Sequence, residues 1–150
     1  MYKVLALVAV FGCAVLAQGQ GEQEPPFLTG IPAALKQEFI TIQNNGQLSD
    51  NQADAQTKAW AKKLPAAQKK QFDDIESKGA AAEKEGRAKQ AAAIAKLSAA
   101  AKGFDAKLQA IADNKDLPRA KKGEQMEALQ KSIPANVGAE LQGVFQQLQG

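Results

Sequence analysis

The apolar side chains of this chain recur at helical spacing, in segments that are separated by Pro, Gly or Asn. In the segment that opens with Leu64-Pro65, for example, Leu64, Phe72 and Ile75 fall on one face of a helix. Pro65 suits the first turn of a helix, because an N–H at this position would have no partner within the helix and the φ of Pro is already helical. No segment alternates between apolar and polar residues with the period of two that is typical of strands. The pattern therefore predicts an all-α protein.

Start and stop signals divide this pattern into about six helices. Ser49 and Gln52 form a capping-box sequence at the start of the second helix, and Ser98 is placed to cap the fourth. Asn45-Gly46 is a typical end for the first helix. The predicted helices begin at about residues 32, 49, 65, 98, 118 and 134.

One segment of the third helix, Glu76–Gln90, carries no apolar side chain larger than Ala. Such a segment either bridges solvent between two bundles or packs only through its small residues. Gly79 and Gly86 continue the stripe of Phe72 and Ile75, where they would permit a close helix contact or a bend. The sequence leaves both arrangements open.

A shift of 69 residues superimposes the apolar positions of the first half on those of the second. The matched pairs are Leu35/Phe104, Phe39/Leu108, Ile42/Ile111, Asn45/Asn114, Leu48/Leu117, Trp60/Leu129, Leu64/Ile133, Pro65/Pro134, Phe72/Leu141 and Ile75/Val144. The match favours a duplicated three-helix unit, with two related halves joined through a long central helix. Each half then contains a helix–loop–helix pair of the EF-hand-like kind. Trp60, the only Trp, is expected in the core.

The first 17 residues have the pattern of a secretory signal peptide. Lys3 precedes an apolar run of 12 residues, Val4–Val15, which is too short to span a bilayer. Short side chains at the −3 and −1 positions place cleavage after Ala17. We therefore expect a secreted, extracellular protein with a flexible lead at 18–30 and one helical domain at 31–150.

Composition excludes several kinds of site. The chain has no His, and its one Cys, Cys13, lies in the predicted signal peptide. The usual zinc sites, His-dependent nucleophiles and disulfides are therefore not expected in the mature protein. The net charge is only +3 and the lysines are spread among acids, so no nucleic-acid surface is expected either. We predict a protein that is not an enzyme, has no nucleic-acid partner and has no membrane span.

Oxygen ligands remain available for a hard cation such as Mg²⁺ or Ca²⁺. The two loops and their flanks offer Asn44, Asn45, Ser49, Asp50 and Asp54 in the first half and Asp113, Asn114 and Asp116 in the second. Neither loop has the EF-hand consensus, and so few carboxylates predict weak binding. The same residues are also explained, without any ion, as helix caps, a first-turn anion and a turn. Taken alone, the residues favour this cap-and-turn interpretation over a cation site.

Short segments spread over nearly the whole mature chain carry a family resemblance. They are Pro25-Pro26-Phe27-Leu28, Phe39-Ile40-Thr41-Ile42 followed by Asn44-Asn45, Leu64-Pro65, Ser98-Ala99-Ala100-Ala101-Lys102, Asp105–Asp113 and Ile133-Pro134-Ala135. In this order and spacing they resemble the SXP/RAL family of small secreted nematode proteins, which includes allergens of parasitic species. The resemblance implies an all-helical fold, secretion, a domain described as cation-binding, and antigenicity, with host IgE as a partner.

Three functional hypotheses follow. The first is a secreted, host-facing nematode antigen or allergen that binds Mg²⁺ or Ca²⁺ weakly, with the implied ligands at Asn45, Asp50, Asp113, Asn114 and Asp116. The second is a carrier of a small apolar ligand such as a fatty acid. The third is a protein-interaction module that binds no small ligand.

Overall fold

Six α-helices make up the part of the chain that the structure describes. The structure is a computed structural model, and it describes residues 24–149. The helices are α1 (Ala33–Asn44), α2 (Asp50–Ala61), α3 (Ala66–Ile94), α4 (Ala99–Asp113), α5 (Arg119–Lys131) and α6 (Ala135–Gln149), and a short 3-10 helix, Pro26–Leu28, precedes them. Between residues 24 and 149 the β-type pairing consists of one isolated bridge. The predicted all-α class is confirmed.

The helix starts follow the local sequence signals. The Ser49 hydroxyl accepts from the Gln52 N–H while the Gln52 side chain accepts from the Ser49 N–H, so the predicted capping box is present. The Ser98 hydroxyl caps α4. The helix α3 begins one residue later than predicted, at Ala66, and Pro65 is its N-cap. The Pro65 carbonyl accepts the first helical hydrogen bond, from the Lys69 N–H at 2.9 Å. The boundary therefore moves by one residue, and the start signal itself is correct.

Two separate hydrophobic cores lie along the molecule, one at each end of α3. The first core contains Phe27, Leu28, Ile31, Phe39, Ile42, Ala53, Trp60, Ala61, Leu64 and Phe72. The second contains Ile94, Ala101, Phe104, Val137, Leu141 and Val144. Burial of these apolar side chains is the main favourable term in folding. The fold thus has two halves with a core each, joined through the long helix that the sequence predicts.

Trp60 forms the centre of the first core, with 1% of its surface exposed. Its ring centre lies 4.7 Å from that of Phe39, 5.9 Å from that of Phe72 and 6.1 Å from that of Phe27. Its indole N–H donates to the Leu35 carbonyl at 2.8 Å. The ring is therefore packed in apolar surroundings while its one polar group is paired, as a buried Trp requires.

The middle of α3 is a solvent-exposed helix. Phe72 is buried in the first core and Ile94 in the second, whereas nearly all residues between them are exposed. A Cβ added at Gly79 or Gly86 would meet nothing within 4 Å. The interpretation of close packing through small residues is therefore wrong, and the solvent-bridging interpretation is correct. Ile75, predicted on the buried face, is 39% exposed because the first core ends one turn earlier.

Ion pairs between residues four apart along α3 help to hold this exposed segment helical. Lys89 pairs with Glu85 at 2.7 Å and Arg87 with Glu83 at 3.1 Å. Each pair spans four residues, which places its members on neighbouring turns of the helix. Exposed pairs of this kind contribute only a few tenths of a kcal/mol each, so the helix between the cores rests largely on its Ala-rich composition.

The predicted signal peptide, 1–17, and the first part of the predicted flexible lead, 18–30, lie outside the described residues. The segment from residue 24 to residue 28 packs on the first half, since Phe27 and Leu28 are both buried. The Lys36 ammonium also donates to the Glu24 carboxylate. Within residues 24–149 no helix is long and apolar enough to cross a membrane.

Candidate functional site

The loop that joins α1 to α2 pairs with the loop that joins α4 to α5. Ser49 and Pro118 form the isolated antiparallel bridge at the centre of this contact. The two loops run over residues 45–49 and 114–118. Each is much shorter than the loop of about 12 residues in an EF-hand. The EF-hand-like character predicted for the helix–loop–helix pairs is therefore not confirmed, although the two pairs do meet through their loops.

Backbone hydrogen bonds around this bridge repeat with the same shift of 69 residues as the sequence. The Asn51 N–H donates to the Lys115 carbonyl at 3.1 Å, and the Ala120 N–H donates to the Gly46 carbonyl at 2.9 Å. Asn51 is equivalent to Ala120, and Gly46 is equivalent to Lys115. The two bonds are thus images of each other, and the loops are related by a pseudo-two-fold axis that passes near the bridge.

The two loops also have the same internal turn. The Asn45 side-chain oxygen accepts from the Gln47 N–H at 3.0 Å, and the Asn114 side-chain oxygen accepts from the Asp116 N–H at 3.3 Å. Asn45 has φ −78° and ψ 93°, and Asn114 has φ −74° and ψ 87°. In both loops the Asn side chain therefore shapes the turn, which is a structural role that needs no metal ion.

Asp50 is the centre of an ion cluster between the two halves. The Arg119 Nε donates to Asp50 Oδ1 at 3.2 Å, and the Lys122 Nζ donates to Asp50 Oδ2 at 2.5 Å. The same Lys122 ammonium donates to the Ala112 carbonyl at 2.9 Å, and the Arg119 guanidinium donates to the Gln43 carbonyl at 3.1 Å. The cluster therefore connects α1 and α2 with α4 and α5.

Burial and pairing set the charge state of this cluster. Lys122 is 4% exposed, and the side chains of Asp50 and Arg119 are about one-quarter exposed. Burial by itself raises the pKa of the Asp50 carboxyl, but hydrogen bonds and charges from Lys122 and Arg119 outweigh it and hold that pKa below its ordinary value. Asp50 is therefore ionised at neutral pH, and it is paired with two cationic side chains of the chain.

The acidic residues in and next to the second loop, Asp116 and Asp113, form their hydrogen bonds at the protein surface. The Arg87 guanidinium donates to Asp113 Oδ1 at 2.6 Å, which ties α3 to the end of α4. The Asn51 side-chain amide donates to Asp116 Oδ1 at 2.7 Å and adds a further contact between the loops. Both carboxylates are exposed. They remain accessible to water and to small ions.

The five predicted ligands do not come together as one metal site. Each of them accepts a hydrogen bond from the protein, and the carboxylates of Asp50 and Asp113 face cationic side chains. Between residues 24 and 149 no group of three or more Asp, Glu, His or Cys side chains is close enough to hold a metal ion. A hard cation needs several oxygen ligands at one point, so these residues do not fit a resident, tightly bound metal.

The basic members of the ion cluster were not predicted from the sequence. Arg119 and Lys122 give no local signal of a site, because single basic residues on a helix are common and mostly solvated. The repeat contained a signal that would have found the pair: Arg119 stands at the position equivalent to Asp50, and Lys122 at the position equivalent to the buried Ala53. Comparing the charged positions across the repeat, as well as the apolar ones, would have indicated the contact.

A groove between α1 and α2 offers room for a small molecule. Its volume is about 640 Å³, and it is lined by Ala34, Gln37, Glu38, Thr41, Ile42, Gln56, Ala59, Trp60 and Lys63. The groove is open to solvent, and about half of these residues are polar. A fatty-acid carrier needs a largely enclosed apolar cavity. This groove gives the carrier hypothesis no support.

One buried carboxyl lies outside the loops, on α4. Asp105 is 9% exposed, and its Oδ1 accepts from the Gln90 side chain of α3 at 3.1 Å. Burial raises the pKa of Asp105, and hydrogen bonds with Gln90 and Gln109 offset only part of that effect. These partners are neutral amides, so the carboxylate costs free energy in the folded state when it is ionised.

The chain matches a protein-family model over nearly its whole length. Residues 1–148 match the family model described as "SXP/RAL-2 family protein Ani s 5-like, metal-binding domain". The match spans both loops and the six helices except the last residue of α6. The description names neither the ion nor its ligands. Neither the curated proteins nor the solved structures contain a significant match to the chain.

Proposed function

Because the chain belongs to the SXP/RAL-2 family, we propose that it is a secreted nematode protein that faces the host as an antigen and binds Mg²⁺ or Ca²⁺ only weakly. The signal-peptide pattern with cleavage after Ala17 supports secretion. The family description as a metal-binding domain supports the cation. The absence of a catalytic constellation from the sequence supports a role in binding and not in catalysis.

The observation that carries the antigen proposal is the exposed middle of α3, residues 73–93. Only three of these residues, Glu83, Gln90 and Ala93, are even half-buried, and the segment alternates acidic and basic side chains. A charged, continuous and largely exposed helix is readily accessible to an antibody, and it keeps its shape because both of its ends are anchored in cores. We propose this segment as a principal IgE-binding surface.

IgE binding is tested with the mature protein, residues 18–150, and serum from hosts exposed to the parasite. We expect Lys78→Ala with Lys84→Ala to reduce IgE binding, because Ala keeps the helix and removes two exposed charges. Lys102→Ala with Lys121→Ala, at exposed positions in the second half, is the matched control. If serum IgE does not bind the wild-type protein, or if it binds both double variants equally well, this surface is not the one that IgE recognises.

Secretion is tested by expressing the full chain in eukaryotic cells, with and without residues 1–17. We expect the full chain in the medium, with a mass that begins at Gln18, and the truncated chain inside the cell. A full-length chain that stays in the cell with its first residues attached would contradict the proposal.

The cation part of the proposal concerns exposed carboxylates, since the carboxylate of Asp50 is already paired with two cationic side chains. Mg²⁺ keeps several of its waters and needs only one or two carboxylates, which the exposed Asp116 side of the second loop offers. We expect amide NMR signals of residues 113–116 to shift on titration with either metal, at millimolar concentration or above, and to return with EDTA.

Matched variants identify the carboxylate. Asp116→Asn should remove the shift, and Asp54→Asn, which changes an exposed carboxylate on α2, should leave it intact. Unchanged spectra of the wild-type protein with both metals would remove the cation from the proposal and favour the interaction module without a small ligand.

A further inference from the structure

The Lys122 ammonium lies between the two halves and holds oxygen atoms from both. It donates to the Asp50 carboxylate, at the start of α2, and to the Ala112 carbonyl, in the last turn of α4. Its side chain is 5% exposed. Burying an ammonium group is unfavourable unless it is paired and hydrogen-bonded, so the pairing in this position is essential to the folded state.

The atoms that surround this ammonium are of the kinds that hard metal ions select. A carboxylate oxygen and a backbone carbonyl oxygen are typical ligands of Ca²⁺ in helix–loop–helix sites. We propose that the Lys122 ammonium is a built-in cation: it holds together, at the junction of the two halves, oxygen atoms that a divalent ion would otherwise have to hold. The junction of this chain then forms without metal.

The repeat supports this assignment. The position equivalent to Lys122 in the first half is Ala53, which is 1% exposed, so only one of the two equivalent positions carries the ammonium. Likewise Asp50 is matched by Arg119, which binds the other carboxylate oxygen. One carboxylate is thus shared by two cations from the other half. The asymmetry means that both cations come from the second half and the carboxylate comes from the first.

The inference is independent of the weak metal binding proposed above, which concerns the exposed carboxylates of the second loop. Weak binding there is read from amide shifts at residues 113–116 of the wild-type protein. The built-in cation is read from the stability of variants at Lys122. Either proposal can fail while the other stands.

The experiment measures the midpoint of thermal unfolding of the mature protein in EDTA and in about 10 mM Ca²⁺ or Mg²⁺. Lys122→Ala removes the ammonium and leaves room for a hydrated ion, and Ala is the residue at the equivalent position in the first half. Lys122→Met removes the charge but retains a long side chain in the space. Lys121→Ala changes the exposed neighbour on α5 and is the matched control.

We expect EDTA to leave the wild-type midpoint unchanged. Lys122→Ala should lower the midpoint by about 5 °C or more, well beyond Lys121→Ala. Divalent metal should then raise the midpoint of Lys122→Ala more than that of the wild type or of Lys122→Met. The proposal is overturned if EDTA destabilises the wild type, if Lys122→Ala is as stable as Lys121→Ala, or if metal raises all midpoints equally.

Discussion

Asp50 and Arg119 are the first residues of α2 and α5, stand at equivalent positions in the repeat, and form an ion pair with each other, with the Arg119 Nε 3.2 Å from Asp50 Oδ1. In an unchanged duplicate the two positions would carry the same residue, and like charges would face each other across the pseudo-two-fold axis. Opposite charges make this contact attractive and specify that the first half docks on the second.

Reversing one charge of this pair should destabilise the protein, and reversing both should restore part of the loss. Asp50→Arg places a third cation beside Arg119 and Lys122, and we expect it to lower the free energy of unfolding by about 2 kcal/mol, discounted for partial exposure. Adding Arg119→Asp re-creates an ion pair at the equivalent position. Chemical denaturation measures each variant. Equal stability of the single and double variants would show that the two side chains do not interact.

Local signals account for the parts of the fold that were predicted well. The helices, the capping box at Ser49 and the repeat depend on residues close in sequence or on spacing alone. Ile75 was misplaced because helical periodicity continues past the point where the first core ends. Asp50 was identified as a candidate site residue, but its partner Lys122 lies 72 residues away. That contact depends on how the halves dock, which periodicity does not encode.

The ion cluster should make stability depend on pH in the acid range. The pKa of Asp50 is lowered in the folded state, so its contribution is fully present above the unfolded pKa, near 4, and is lost as the pH falls through the folded value. We expect Asp50→Asn to be less stable than the wild type at pH 7 and to converge with it toward pH 2. Urea denaturation across this range measures the difference. A constant difference at every pH would contradict the role of the charge.

Asp105 should show the opposite dependence. Burial raises the pKa of its carboxyl, so the folded state is penalised while Asp105 is ionised, and the penalty disappears as the pH falls through the folded pKa. We expect Asp105→Asn to raise the unfolding midpoint at pH 7, with a gain that shrinks toward pH 4. Asp74→Asn, on the exposed face of α3, is the control. A loss of stability at pH 7 would show that the carboxylate itself is needed for the contact with Gln90.

Two glycine substitutions in the exposed middle of α3 should stabilise the protein. Gly79→Ala and Gly86→Ala should each raise the free energy of unfolding by about 0.5–1 kcal/mol, because each Cβ meets open space and Ala favours the helix. Gly30→Ala should lower it, since Gly30 has φ +78°, which strains a residue with a side chain. The thermal unfolding midpoints of the three variants and the wild type measure these changes in stability. Destabilisation by both α3 variants would mean that this segment packs against something in solution.

The most direct test of the ion cluster is a double-mutant cycle between Asp50 and Lys122, measured as free energies of unfolding of the wild type, Asp50→Asn, Lys122→Met and the double variant. The buried ammonium and its carboxylate should be coupled by more than about 1 kcal/mol, and the coupling should persist in high salt because Lys122 is shielded from solvent. Additive effects would contradict the account, since the junction between the halves would then rest on the backbone bridge and apolar contacts alone.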